Sequence, residues 1–131
     1  MVSYVKLFNQ TVDEFFRELI DIFPEQTKIK VQYNLFKTLC MTNVKKPCKD
    51  FMTGSVPHLE KICMKDASMF KGKDAPDLLN NIGFENIWTD ELSQNTKDAI
   101  WNYIKSFFTI GVHVVQMPQE CIPMLDYIIN N

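Results

Sequence analysis

The sequence has few residues that break helices and no long hydrophobic run. Glycine occurs four times and proline six times in 131 residues, a scarcity that favours helices over a turn-rich β fold. The longest apolar stretch, residues 107–115, is interrupted by Thr109, Gly111 and His113, so it falls far short of the ~20 residues that span a bilayer. The opening residues carry acids where a secretory signal would be apolar. We therefore expect a soluble, intracellular protein that does not bind membranes.

The chain also lacks the spacing patterns that mark common catalytic and metal sites. Its glycines are isolated at positions 54, 72, 83 and 111, so no glycine-rich loop is available to hold a phosphate. The four cysteines, at positions 40, 48, 63 and 121, form no C-x2–4-C knuckle of the kind that structural zinc sites use. The cysteines are interpreted as reduced, mostly buried thiols.

Two residue combinations leave some chemistry open. His58 and Cys63, with Cys48 and Cys40 upstream, contain soft metal ligands. Either His58 or His113 could serve as the base for a cysteine nucleophile. No local signature supports these pairings, and core thiols with ordinary histidines explain the same residues. We predict a non-enzymatic protein with no catalytic residue, no metal ligand and no cofactor.

Charge is distributed unevenly along the chain. Between residues 28 and 73 there are ten lysines and three acids, a net charge of +7, whereas the rest carries four cations and thirteen acids, a net charge of −9. Arginine, which reads guanine and phosphate through paired hydrogen bonds, is absent from the basic segment. The segment predicts attraction to an acidic protein surface or nonspecific attraction to nucleic acid. An ordinary lysine-rich solvated surface is the alternative.

Length and apolar periodicity predict the fold. The 131 residues are enough for one domain, and a hydrophobic content of 46% is enough for a core. Apolar residues recur every three or four positions in most segments, which is typical of amphipathic helices. The prediction is an all-α fold, a compact irregular bundle of five to seven helices that forms a single domain over residues 1–131.

The start of the first helix has two interpretations. Apolar spacing predicts a helix over residues 4–23, ended by Pro24. A capping box formed by Thr11 and Glu14 would start the helix at Val12 instead. Both interpretations bury the same apolar stripe.

The second helix is predicted over residues 26–41. Leu35 and Leu39 widen its apolar stripe, although residues 29–33 also alternate as a strand would. A short helix that begins near Pro47 follows.

Capping residues suggest where the later helices begin and end. Ser55 is predicted as an N-cap, residues 69–76 as a surface connection, and Gly83 as the residue that closes a short helix. Ser93 or Asn95 can cap the clearest helix of the chain.

The last helix is predicted to begin at Pro118. It should turn Ile122, Met124, Leu125 and Ile128 inward.

The candidate partner-binding residues are lysines of the basic segment and two tryptophans. Lysine clusters lie in predicted connections, two further lysines share a helical face at i and i+4, and tryptophan is a frequent anchor at interfaces. The predicted set is Lys45, Lys46, Lys49, Lys61, Lys65, Lys71, Lys73, Trp88 and Trp101. Trp101 stands at the edge of an apolar stripe, so both a core role and a position at the rim of a groove are open.

Two segments carry a family resemblance. Residues 92–97 (LSQNTK), followed by an Ile-Trp-x-Tyr-Ile motif at 100–104, resemble a segment of small helical proteins of nucleocytoplasmic large DNA viruses, of the mimivirus and phycodnavirus kind. Residues 15–24 are similar to their opening helix. The chain departs from that pattern at Ile104, where leucine is usual, and its basic segment has no counterpart. The resemblance implies an α-helical protein made in infected cells and carries over no catalytic residue.

These observations lead to one hypothesis and one alternative. The chain is predicted to be a non-enzymatic viral adaptor or virion-associated protein, located in the host cytoplasm or the virion. It would bind another macromolecule, a protein partner first, through its basic surface and an aromatic-rimmed helical face. The alternative is a nucleic-acid-binding accessory factor. The sequence does not determine the oligomeric state.

Overall fold

The computed structural model describes residues 2–71 and 75–131. Within these ranges the chain forms α-helices and short 3-10 turns, and no β-strand. The α-helices are α1 (Tyr4–Ile22), α2 (Thr27–Thr42), α3 (Lys46–Ser55), α4 (Leu59–Cys63), α5 (Asp77–Asn81), α6 (Phe84–Ile87), α7 (Gln94–Gly111) and α8 (Ile122–Asn130). The 3-10 turns are Val56–His58, Ala67–Phe70 and Gln119–Cys121. The all-α prediction is confirmed, and the strand alternative within α2 is wrong.

The helices pack as an irregular bundle around α1 and α7. Helix α1 packs against both α7 and α2, and α3 crosses α1, α2 and α7. At the other side of the bundle α8 packs against α7 and α4. One hydrophobic core cluster draws residues from all of these helices.

Phenylalanine rings form the centre of this core. Phe8 and Phe15 of α1 meet Phe107 of α7, with ring centroids 5.7 and 5.5 Å apart. Phe51 of α3 contacts the same Phe107 ring at 5.4 Å in an edge-on arrangement. Burial of each such side chain stabilises the fold by about 1.5–3 kcal/mol. The apolar residues spaced three or four positions apart therefore place these rings on helix faces that meet in the core.

The first helix begins at Tyr4, so the capping box at Thr11 is the wrong alternative. Ser3 is the N-cap, and its hydroxyl accepts the N–H of Lys6 at 3.2 Å. Inside the helix the Thr11 hydroxyl donates to the Leu7 carbonyl at 2.9 Å instead of capping.

Two of the other capping predictions are confirmed and one is wrong. Ser93 caps α7, with its hydroxyl accepting the Thr96 N–H at 3.2 Å. Gly83 follows the end of α5 with a φ of 73°, a left-handed conformation that glycine adopts at little cost. Ser55 is fully buried within the last turn of α3 and donates to the Phe51 carbonyl at 2.6 Å. Because its hydroxyl is satisfied inside α3, it caps no following helix.

Three predictions of burial are corrected by the packing. Leu35 is 58% exposed and Ile122 is 43% exposed, because each lies on the outer edge of its helix and no further element covers it. Conversely, Met69 and Phe70 are buried in a 3-10 turn, in a segment predicted as a surface connection. Residues 72–74 of that segment lie outside the described residues.

None of the helices in residues 2–71 and 75–131 combines the length and the apolar character needed to cross a membrane.

Candidate partner-binding groove

The predicted lysines are spread over several elements. Lys45, Lys46 and Lys49 lie at the start of α3 and are exposed, as are Lys65 and Lys71, whereas Lys61 on α4 is half-buried. Lys73 lies outside the described residues. The lysines at the start of α3 and those near α4 therefore do not belong to one continuous helix face.

The two tryptophans lie together in a second aromatic cluster. Trp88 and Trp101 contact each other edge-on at 5.8 Å, and both contact the buried Phe70, at 4.7 and 5.3 Å. Phe84 completes the cluster at 4.7 Å from Phe70. Trp88 is only 7% exposed, so little of its ring is available to a partner. Trp101 is only partly buried.

The accessible side of Trp101 lines a cavity of about 370 Å³, which we call the basic groove. It lies between the end of α4, the middle of α7 and the end of α8. Its described lining residues are Ile62, Cys63, Met64, Lys65, Trp101, Asn102, Ile104, Lys105, Tyr127, Ile128 and Asn131. Two of the predicted residues, Lys65 and Trp101, thus meet here, together with Lys105 and Tyr127, which the sequence analysis missed.

Helix geometry explains the α7 and α8 contributions. Trp101 and Lys105 are four residues apart on α7, so their side chains lie one turn apart on the same face. Tyr127 is 51% exposed on α8. The Asn131 side chain donates to the Tyr127 carbonyl at 3.0 Å, which closes this end of the helix.

The end of α4 places Lys65 at the edge of the groove through a Schellman motif. The Lys65 N–H donates to the Ile62 carbonyl at 3.1 Å, and the Asp66 N–H donates to the Lys61 carbonyl at 2.9 Å. This motif requires a left-handed residue, usually glycine, yet the residue is lysine with a φ of 49°. A left-handed conformation costs a non-glycine residue about 1–2 kcal/mol. Residues held in such conformations are concentrated at functional sites.

The charged side chains that line the basic groove are all cationic among the described residues. Its described lining contains two lysines and no acidic side chain. The ion pairs among the described residues lie elsewhere, at Arg17–Asp13 and Lys46–Asp50, so Lys65 and Lys105 have no carboxylate partner within residues 2–71 and 75–131. The groove therefore favours an anionic group.

Among the described residues, Asp66 forms no ion pair with the neighbouring Lys65. The Asp66 carboxylate accepts the Ser68 N–H at 3.0 Å at the start of a 3-10 turn. Hydrogen bonds from the Ser68 side chain and backbone lower the pKa of Asp66. Asp66 is thus ionised at neutral pH and is not among the described residues that line the basic groove.

The thiol in the groove is not set up for nucleophilic chemistry. Cys63 Sγ donates to the Met124 carbonyl at 3.4 Å. Its pKa is raised by burial and, to a smaller extent, by the charge of Glu60, so the thiol keeps its proton at neutral pH, whereas a nucleophile needs the thiolate.

The sequence analysis also considered the cysteines and histidines as metal-binding or catalytic residues. All four cysteines are free thiols. Across the described residues, no group of three or more His, Cys, Asp or Glu side chains is arranged to hold a metal. His113 is exposed and its ring stacks on Tyr4 at 4.2 Å.

No protein-family model matches this chain, and neither a curated protein nor a solved structure does. The origin in a large DNA virus therefore stays a prediction that rests on the short motifs alone. The kind of partner is therefore inferred from the side chains of the basic groove.

Proposed function

We propose that this protein is a non-enzymatic adaptor that binds an acidic segment of a partner protein in the basic groove. The observation that carries the proposal is the convergence of Lys65, Lys105, Trp101 and Tyr127 on one cavity whose described lining has no acidic side chain. Ammonium groups without carboxylate partners attract and orient an acidic chain. Exposed aromatic rings supply the apolar anchoring that interfaces need.

The size of the groove suits an anchor point within a larger interface. Its volume of about 370 Å³ is near the lower end of the range of about 300–1000 Å³ found for ligand pockets. One or two partner side chains would fill it, while the exposed Met64 and Tyr127 at its edge would contact neighbouring residues of the partner. The resemblance to large DNA virus proteins would place this adaptor in the host cytoplasm or the virion.

Paired variants test the proposal without unfolding the protein. Lys65→Gly removes a charge and supplies the residue that the left-handed position favours, and Lys105→Gln keeps good helix propensity. The matched control is Lys30→Gln, which removes an exposed lysine of α2 outside the groove.

A nuclease-treated pull-down from the cells that produce the protein provides the measurement. The partner should be retained by the wild type and by Lys30→Gln, and its affinity should fall about tenfold or more in the double groove variant. Cross-linking should map an acidic segment of the partner to α4 and α8. A partner that binds both variants equally, or that cross-links through a basic segment, would contradict the proposal.

The second candidate function is a nucleic-acid-binding accessory factor, favoured by the start of α3. Lys45 and Lys49, beside the ion-paired Lys46, place cations at the positive end of the helix dipole, where cations are normally unfavourable. Such an arrangement attracts phosphate. Binding to single- and double-stranded oligonucleotides should then weaken steeply between 50 and 200 mM salt. A plot of the logarithm of the binding constant against the logarithm of the salt concentration should have a slope of about −0.9 per phosphate contact. Absence of binding at low salt would exclude this function.

A further inference from the structure

A second groove lies on the other side of the bundle, between α2, α3 and α5, and has a volume of about 510 Å³. We call it the phenylalanine groove because buried phenylalanines of α1, α2 and α3 form its floor. Its described lining residues are Phe8, Val12, Phe16, Gln32, Leu35, Phe36, Leu39, Pro47, Asp50, Phe51, Thr53, Gly54, Asp77, Leu78 and Asn81. It shares no described lining residue with the basic groove.

The walls of this groove are about as long as two turns of a helix. Residues 32–39 of α2 form one wall and residues 47–54 of α3 form the other. At about 1.5 Å per residue each wall is about 12 Å long, which corresponds to two turns of a docked helix. Helices that bind in such grooves insert apolar side chains at i, i+3 or i+4, and i+7.

Apolar surface continues beyond the groove along α2. Val31 and Leu35 are 55% and 58% exposed and lie one helical turn apart. A small ligand held in the groove would leave Val31 in water, whereas a helix lying along α2 would cover both residues. The exposed surface therefore favours an elongated occupant.

The charged side chains that line this groove are opposite in sign to those that line the basic groove. Its described lining has two carboxylates, Asp50 and Asp77, and no cationic side chain. Asp50 pairs with Lys46 at 3.0 Å, whereas Asp77 has no ion pair among the described residues.

Two lysines of α2 have their side chains placed against residues outside the groove lining. Lys37 Nζ lies 4.4 Å from the centre of the Tyr33 ring, and that ring stacks on α1. The Lys28 side chain lies against Gly83. Since no cationic side chain is among the described lining residues and Asp50 is paired, the unbalanced charge inside the groove is that of Asp77.

We propose that the phenylalanine groove docks a basic amphipathic helix of a partner protein. The apolar stripe of that helix would cover Leu35, Leu39 and Leu78, and a lysine or arginine on its flank would pair with Asp77. Together with the acidic segment proposed for the basic groove, this gives the adaptor two binding grooves, one for an acidic segment and one for a basic helix.

A second copy of the chain is disfavoured as the occupant. An isologous contact through this groove would bring two concave surfaces together and place Asp50 and Asp77 opposite themselves. The alternative, insertion of one of the chain's own long helices, would require an apolar stripe that already packs in the core.

Gly54 offers a way to block the groove while keeping the fold. A β-carbon at Gly54 meets no heavy atom within 4 Å, and this residue lines the groove within α3. Gly54→Phe should fill the phenylalanine groove, and Gly54→Ala is the control that adds only a methyl group. Both replacements raise helix propensity, and circular dichroism and thermal melting would verify that each variant remains folded.

The experiment is a display selection from a library of helical peptides with randomised flanks, using wild-type protein as bait. Enriched peptides should carry apolar residues at i, i+3 or i+4, and i+7 and a net positive charge. They should bind Gly54→Ala about as well as the wild type and lose at least tenfold in affinity for Gly54→Phe. Asp77→Asn should weaken them several-fold, while Lys65→Gly should leave them unchanged.

Several results would overturn this inference without affecting the basic groove. One is enrichment of acidic or non-helical peptides, and another is binding that Gly54→Phe leaves intact. A selection that enriches no peptide sensitive to Gly54→Phe would also refute it. The same holds if light scattering shows a dimer that Gly54→Phe dissociates, because the occupant would then be a second copy, or if a fatty acid alone competes for the groove.

Discussion

Gly111 at the end of α7 lies directly against the side chain of Met52 in α3. A β-carbon on Gly111 would overlap Met52 Sδ and lie 2.8 Å from its Cγ, and Met52 is fully buried. The absence of a side chain at Gly111 therefore allows these two helices to approach closely.

We predict that Gly111→Ala destabilises the protein by about 1–2 kcal/mol. Overpacking costs about 1–3 kcal/mol, partly offset by the better helix propensity of alanine. Gly54→Ala is the control, because its β-carbon would meet open space, and it should stabilise by about 0.5–1 kcal/mol. Urea unfolding measures both. In a Met52→Ala background the Gly111→Ala cost should largely disappear, and an unchanged cost there would show that Met52 is not its cause.

We predict that Ser93→Ala costs about 1 kcal/mol, because the hydroxyl that caps α7 is lost. Asn95→Ala should change the free energy of unfolding by less than about 0.5 kcal/mol, since the exposed Asn95 lies inside the helix. Thermal or urea unfolding of the two variants would distinguish the two capping alternatives that the sequence left open. Equal effects would mean that the Ser93 cap contributes little.

The tryptophan cluster predicts different effects for its two members. Trp88→Ala should destabilise by about 3–5 kcal/mol, because it removes a buried ring. Trp101→Ala should cost less, since its ring is only partly buried. The second variant should instead weaken partner binding at the basic groove. Unfolding and binding are measured separately, and a binding defect caused by Trp88→Phe at full stability would contradict this division.

Alkaline pH should destabilise the fold through Cys48. Burial raises the pKa of the Cys48 thiol from 9.0 to about 12, so above pH 9 the unfolded chain loses a proton that the folded chain keeps. Stability is then full below pH 9 and declines as pH rises toward 12. Urea midpoints measured from pH 7 to 11 should fall, and the slope above pH 9 should be smaller in Cys48→Ala.

Ionisation of Tyr103 should also destabilise the fold, but at higher pH than that of Cys48. Burial, then a hydrogen bond to the Glu18 carboxylate, raises the pKa of Tyr103 from 10.0 to about 12. Tyr103→Phe should therefore reduce the decline between pH 10 and pH 12 only. A decline that neither variant reduces would show that other groups govern alkaline unfolding.

The fold class was predictable because it depends on local spacing. The apolar stripe of α1 and the Ser93 cap are interactions between residues three or four positions apart, which the sequence displays directly. The position of Gly83 is local as well, since a left-handed residue favours glycine wherever it occurs.

Tertiary packing decided what the local pattern left open. Leu35 has the spacing of a core residue, yet α1 and α3 do not cover the outer edge of α2, so it remains exposed. Ser55 has the residue type of a cap, but the continuation of α3 buries its hydroxyl against Phe51.

The basic groove shows the same limit for function. The sequence by itself determined an all-α chain with a lysine-rich middle, because charge counts and helical periods are properties of neighbouring residues. Only the tertiary structure brought Lys65, Trp101, Lys105 and Tyr127 to one cavity. They come from three helical segments far apart in the chain, and the packing of α4 and α7 against α8, which no local period encodes, sets their proximity.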